Sequence, residues 1–302
     1  MFKIIRPDSW ETARALGRYM IYWAFRGQAD ASWGLDTSLH RGASQFGYPY
    51  KLLLRREALI LKQFQRRAHH YINDPPKENQ WLDWLALIQH YGGPTRLLDF
   101  SHSFYVGAFF AIEKASGDAA VWAINLTKLE KAIRSKIGLG ARAKDENIFD
   151  TNEKLVSIVE DYLHGRKNLN LVFHVEPNRL HERLSIQNGL FIVPGNVTSP
   201  FETNLAETFD ISIKSFQEQK EETLTTTEPR KLGYLSSEVS IMKIIIPRGS
   251  HNTALDDLRE MNITSATLFP GLDGFARSLF HHLRLPLDED FWKQLEAIKG
   301  GK

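Results

Sequence analysis

Short apolar runs rich in β-branched and aromatic residues recur between helical stretches along the whole chain, and this alternation narrows the possible folds more than any other feature. Ile21–Phe25, Ala119–Asn125, Leu171–Val175, Leu190–Val193, Val239–Ile246 and Ser265–Phe269 read as strands, with Thr95–Phe100 short and extended. Between them Ser9 can cap a helix from Trp10 to Met20 that places Ala13, Leu16 and Met20 on one face. Lys51–Tyr71 is a long amphipathic helix with Leu53, Ala58, Leu61 and Phe64 on its apolar stripe. Trp81–Gln89 is a helix stopped by Gly92-Gly93-Pro94. Phe104–Ala115, capped by Ser101 or Ser103, is apolar nearly all round and therefore buried. Thr127–Gly165 is helical and charged, with a break at Gly138–Ala143; Asn252–Met261 and Gly271–His282 complete the helices.

No internal repeat divides the chain, and no linker is long enough to do so. The expected class is α+β: residues 1–302 as a single compact unit, a mixed sheet flanked by helices. Within it, residues 218–229 are rich in Glu, Lys and Thr and are expected to form a solvated loop or exposed helix.

A chain of 302 residues can bury a substantial core. The formal net charge of +2 gives no whole-chain field that favours nucleic acid or membrane. The absence of cysteine excludes a disulfide framework and a thiolate zinc site, and suits a reducing compartment. No apolar run is long enough for a membrane span and the first 20 residues do not read as a signal peptide, so the expected location is the cytoplasm, with no membrane partner. The HExxH, GxxxxGK[ST], GxSxG and CxxC patterns are absent. His69-His70 and His281-His282 are adjacent pairs, and neighbours on a helix do not share a face, so no metal is implied.

Two groups of residues stand out as chemistry. Phe25-Arg26-Gly27-Gln28 puts a five-donor guanidinium beside bare backbone at a strand end, which suits phosphate or ribose, although a strand-end ion pair explains it equally. Gln89 to Ser101 (QHYGGPTRLLDFS) gathers polar, aromatic and breaker residues between two apolar helices. There His90 can be a base or ligand, Arg96 can hold an anion, and Asp99 can orient an arginine or serve as the acid of a reaction. The alternatives are that Arg96 pairs with Asp99 to hold the loop and that His90 is a core histidine. Two weaker groups are Arg183 to Phe191, with Gln187 and Gly189 before a strand, and Leu268 to Gly274, where Asp273 is expected to cap a helix. The basic helix face between Arg55 and Arg67 reads as solvated, with nucleic-acid binding as the rival reading.

Taken together these motifs resemble the FRG domain family, defined by a (Phe/Tyr)-Arg-Gly motif: Phe25-Arg26-Gly27-Gln28, Gln89-His90-Tyr91-Gly92 with Pro94 to Asp99, the small-residue helix Val106–Ala111, Arg183 with Gln187 to Phe191, and Leu268 to Gly274. Family members look bacterial or phage-associated, which implies a defence or toxin–immunity setting. A second resemblance is to ADP-ribosyltransferases of the arginine-serine-glutamate kind, through Arg26-Gly27, Asp99-Phe100-Ser101 followed by Phe110-Ala111, and Gln187-Asn188-Gly189. It implies an ADP-ribosyltransferase-like fold, NAD as cofactor, and a transferase or NAD glycohydrolase activity. Gly189 falls where that family has its catalytic glutamate, so Asp99, with Glu182 in reserve, is the acid that remains.

The expected site is therefore Arg26, Asp99 and His90 as catalytic groups, with Gly27, Gln28, Gln89, Tyr91, Thr95, Arg96, Ser101, Arg183 and Gln187 binding a nucleotide or small molecule. Arg26, Arg96, Asp99 and Gln187 are expected to converge on one cleft. A metal-independent phosphoesterase or nuclease, with His90 as base and Arg26 and Arg96 as clamps, is the alternative enzyme. A ligand sensor or interaction module with a protein or nucleic-acid target is the alternative without catalysis.

Overall fold

The computed structural model describes residues 1–140, 148–177, 182–225 and 227–284. In chain order the elements are β1 (Phe2–Pro7), α1 (Trp10–Tyr19), β2 (Trp23–Gln28), α2 (Ser38–Gln45), α3 (Leu53–Ala68), α4 (Trp81–His90), β3 (Leu98–Ser101), α5 (Phe104–Ile112) and β4 (Ala119–Asn125). There follow α6 (Leu126–Lys136), α7 (Ile148–Leu163), β5 (Val172–Val175), α8 (Glu182–Ile186), β6 (Gly189–Pro194), α9 (Phe201–Thr208) and α10 (Ile213–Gln217). The last elements are β7 (Glu221–Leu224), α11 (Pro229–Glu238), β8 (Ile241–Ile246), α12 (His251–Glu260), α13 (Ser265–Leu268) and α14 (Leu272–Ser278).

The strands form one eight-stranded sheet in the order β5-β6-β3-β2-β4-β8-β1-β7. β1 runs parallel to both of its neighbours, β7 and β8, and the other ladders are antiparallel. The protein is thus of the α+β class with a mixed sheet.

Strand alternation sends neighbouring residues to two cores. Ala24, Trp122, Ile124 and Ile241 join the core built with α4, α6, α7 and α9. Trp23, Phe25, Val121, Ala123 and Ile244 join the core built with α1, α5, α11 and α12. Helices on both faces explain why β4, β6 and β8 are apolar but for Asn125 and Lys243: every residue of each is buried. Ser9 caps α1 and Ser103 caps α5, each accepting a bond from the main-chain N–H three residues on.

Four expectations change. The first motif strand runs Trp23–Gln28 rather than Ile21–Phe25: Tyr22 has φ +60° and belongs to a turn, and Gly27 sits inside the strand opposite Val121 instead of breaking it. A side chain at 27 would collide with the Gly107 carbonyl and the Ala111 amide of α5, so glycine here permits strand and helix to touch. The polar stretch 218–229 is no continuous loop or helix, because Glu221–Leu224 adds β7 to the sheet edge beside β1, with its first three residues exposed. Ser265–Leu268 is a helix, not a strand: Thr264 and Thr267 form a reciprocal capping box that starts it. Asp273 is not a cap. Gly271, at φ +113°, precedes α14 and leaves Asp273 in its first turn. The expected break at 138–143 lies in part outside the described residues.

Candidate functional site

The site follows from an incomplete ladder. β2 pairs with β4 along six residues, but with β3 only at Phe25 opposite Ser101. Past that point the two strands cease to be partners, and a cleft of about 810 Å³ opens over their ends. Arg26 stands at its floor. Its Nη1 donates to the Asp99 carbonyl at 2.8 Å and lies 3.9 Å from the Asp99 carboxylate. Its Nε is buried without a hydrogen-bond partner. Burial lowers the Arg26 pKa, Asp99 opposes that shift, and the like charge of Arg41 adds to it. A guanidinium stays charged under such a shift, so the cleft holds a desolvated cation with donor capacity to spare.

Asp99 is fixed by Gln89, whose Nε2 donates to its Oδ2 at 2.8 Å. The same amide group also donates to the Leu97 carbonyl, and Gln89 Oε1 accepts from the Thr95 hydroxyl. The carboxylate itself remains half exposed, with 54% of its side chain open. His90 lines the cleft next to Gln89 and meets the Tyr91 ring edge-on.

One wall is the loop between β2 and α2. Gln28 ties it down: its Nε2 donates to the Gly34 carbonyl and its Oε1 accepts from Trp122 Nε1, both at 2.8 Å. Lys243 donates to the Trp33 carbonyl at 2.9 Å, and Glu202 accepts from the Leu35 amide at 2.9 Å. Burial pushes the Lys243 pKa down and the Glu202 pKa up, and their mutual attraction opposes both shifts. Two partly desolvated charges thus hold a main chain whose Trp33 ring stays 54% exposed at the cleft.

The opposite wall comes from α8, α14 and the Phe269 turn. The Arg183 and Arg277 guanidiniums lie 4.4 and 3.8 Å from the centroid of the Phe269 ring. Arg277 Nη2 also binds Glu113 at 2.8 Å, while its Nε is buried and unpartnered. Burial lowers the Arg183 pKa, Asp99 opposes, and Arg277 adds to the shift.

Arg26, Gly27, Gln28, Gln89, His90, Asp99, Ser101, Arg183 and Gln187 therefore do share one cleft. Three of them are tethers. Besides Gln28, Ser101 Oγ donates to the Gln187 carbonyl at 2.7 Å and accepts from the Ser103 amide, and Gln187 Nε2 donates to the Leu268 carbonyl at 3.0 Å.

Three expected residues lie elsewhere. Arg96 is wholly buried: its Nε donates to Glu57 Oε2 at 2.7 Å, its Nη2 donates to the same oxygen, and its Nη1 reaches the Tyr162 carbonyl at 3.5 Å. It can neither meet an anion in the cleft nor pair with Asp99, and the two-clamp phosphoesterase arrangement loses one clamp. Thr95 is buried and bonded to Gln89 and Ser38. Tyr91 is 66% exposed outside the cleft. Position 189 carries no acid, and a Cβ there would meet Leu184 Cδ1, so any side chain requires Leu184 to move.

The sequence reading missed Trp33, Arg41, Glu113, Lys114, Phe269 and Arg277 as cleft residues. Two segments carried a signal: Ser32–Arg41, with an aromatic residue and a cation in a turn-rich connection beside the Arg-Gly motif, and Leu268 to Gly274, which holds Phe269.

An α+β protein with a cation-rich cleft at a gap in its sheet is the class these features define. The chain carries an FRG domain: residues 22–119 match the model of that family. No curated protein and no solved structure matches the chain. The matched span supplies Arg26, Gln89 and Asp99, whereas Arg183, Gln187, Phe269 and Arg277 reach the cleft from beyond it. No described helix is long and apolar enough to cross a membrane.

Proposed function

We propose that the cleft binds a nucleotide. The observation that carries this reading is Arg26, a desolvated guanidinium that donates once, to a main-chain carbonyl, and keeps a buried Nε unpaired. Such a group is costly unless an acceptor arrives, and phosphate suits its fork geometry. Among the described residues five cationic side chains line the cleft against three carboxylates, an excess that favours an anionic ligand. Trp33, exposed on an anchored loop, offers a flat surface to a base.

NAD is the nucleotide suggested by the resemblance to ADP-ribosyltransferases. Cleavage of its nicotinamide bond develops positive charge on the ribose, and a fixed carboxylate nearby stabilises that charge. Asp99, oriented by Gln89, is the group for that role, since position 189 offers none.

The test is thermal denaturation of the whole chain with nucleoside mono- and diphosphates and NAD, alongside an assay of NAD consumption. A nucleotide at a hundred times its Kd is expected to stabilise the fold by about 2.7 kcal/mol, and Arg26→Ala is expected to abolish this. Consumption of NAD that is lost in Asp99→Asn supports the enzyme. Stabilisation without consumption points to a sensor or interaction module. If no nucleotide stabilises the wild type, the proposal falls.

A further inference from the structure

Four of the cations that line the cleft, all but Lys114, divide into two groups with one carboxylate shared between them. Arg26, on β2, has Arg41 of α2 as the like charge that bears on it. Arg183, on α8, has Arg277 of α14, and both stack on Phe269. Asp99 is the opposite charge that acts on both Arg26 and Arg183. Glu113 is committed to Arg277 through two hydrogen bonds, at 2.8 and 3.1 Å.

Arg26 and Arg41 repel each other, while in the second group Glu113 offsets Arg277, and Asp99 and Asp273 offset part of the repulsion on Arg183. Like charges held close in a partly desolvated wall cost free energy, and a single anion placed between them removes that cost. A ligand with one anionic group satisfies one pair and leaves the other as it was. The buried, unpartnered Nε atoms fall one to each group, on Arg26 and on Arg277. Asp99 repels an anion that approaches the middle, yet it accepts hydrogen bonds from hydroxyl groups there.

Resting on the nucleotide reading above, we infer that the ligand is a nucleotide carrying two separated phosphate groups, one at Arg26 and Arg41, the other at Arg183 and Arg277, with a ribose hydroxyl facing Asp99. A nucleoside 3′,5′-bisphosphate and a dinucleotide with an additional ribose 2′-phosphate both have this chemistry. A mononucleotide with one phosphate, or with two adjacent ones, occupies one group alone.

Calorimetric titration of the full chain separates these cases. The probes are adenosine 5′-monophosphate, adenosine 5′-diphosphate, adenosine 3′,5′-bisphosphate, NAD and NADP. Either or both of the separated-phosphate ligands is expected to bind at least about tenfold more tightly than its single-site counterpart, the scale of one additional charge-assisted contact. Which one does so identifies the source of the second phosphate. Arg183→Gln is expected to erase that advantage, so that the bisphosphate and NADP bind no more tightly than the monophosphate and NAD. Arg41→Gln, at an exposed position that does not threaten the fold, is expected to weaken every ligand seated at Arg26. If the bisphosphate and NADP bind no better than the monophosphate and NAD, the two-phosphate inference is overturned while the nucleotide reading stands. If none of the five binds, both fail.

Discussion

Arg96 and Arg26 are two arginines brought in by the same polar cluster, and the protein treats them in opposite ways. Arg96 has no exposed surface and uses three nitrogen atoms on protein acceptors, two of them on Glu57. Arg26 keeps 20% of its side chain open, donates once and leaves Nε unpaired. The closed arginine ties α3 to the loop before β3. The open one sits where β2 has lost its strand partner. A cation with every contact made belongs to the fold, whereas one held desolvated and under-satisfied is reserved for something that is not part of the chain.

The largest effect expected from this contrast is at the closed site. Arg96→Ala or Glu57→Ala leaves an uncompensated buried charge and is expected to cost about 3–5 kcal/mol, read as a shift of the urea midpoint. The double change Glu57→Met with Arg96→Met is expected to recover much of that loss, since an apolar pair of similar volume removes both charges together. Recovery would sharpen the reading of Arg96 as structural; a mild single variant would break it.

Next in size is Gly27→Ala. The added methyl meets main-chain atoms of α5, which cannot rotate away, and overpacking of this kind costs about 1–3 kcal/mol. It also displaces the strand that carries Arg26, so ligand affinity is expected to fall along with the melting temperature. Unchanged affinity would show that Arg26 does not depend on this contact.

His174, on β5, has a buried, unpartnered Nε2, is not among the residues that line the cleft, and provides a control. Burial, then His102, lower its pKa to about 4, with Glu176 opposing. Its unfolded value is near 6.5, so the unfolded chain takes up a proton first as pH falls. Stability is expected to decline from pH 6.5 downward, by up to about 2 kcal/mol at pH 5, and the loss is complete below the folded value. His174→Gln is expected to remove that part of the pH dependence without touching nucleotide binding.

The smallest effect on stability is assigned to Arg26→Ala. Losing one bond to the Asp99 carbonyl costs about 1 kcal/mol or less, and relief of a desolvated charge offsets part of it. A loss of several kcal/mol would erase the distinction between the two arginines.

Much of this contrast could be read from the sequence, but not all of it. The gathering of Gln89, His90, Asp99 and Ser101 with Arg26 was legible because breakers and polar residues between two apolar helices leave few places to go. Arg96 was misplaced because its partner was overlooked. Glu57 stands four residues after Leu53 and four before Leu61, in the middle of the buried stripe of α3, where a carboxylate needs a cation. The strands β4, β6 and β8 were legible from apolar runs that only Lys243 and the terminal Asn125 break. Phe2–Pro7 was not, since Lys3 and Arg6 dilute the pattern and their partners, Glu221 and Glu222, come from the far end of the sheet's order in sequence. Leu268 to Gly274 and Arg183 stood out in the sequence, but Arg277 did not: two cations on one ring become neighbours only after α8 and α14 are brought together.

The single pairing of β2 with β3 has one more consequence. A strand with a partner on one side only leaves main-chain donors and acceptors exposed on the other, and at the rim of a sheet such an edge invites another chain to add to it. Here the bare edge from Arg26 to Gln28 lies inside the molecule, at the bottom of a cleft walled by Trp33 and Phe269. Backbone that would be an adhesive edge at the rim of the sheet is here part of the lining of a ligand-sized cleft.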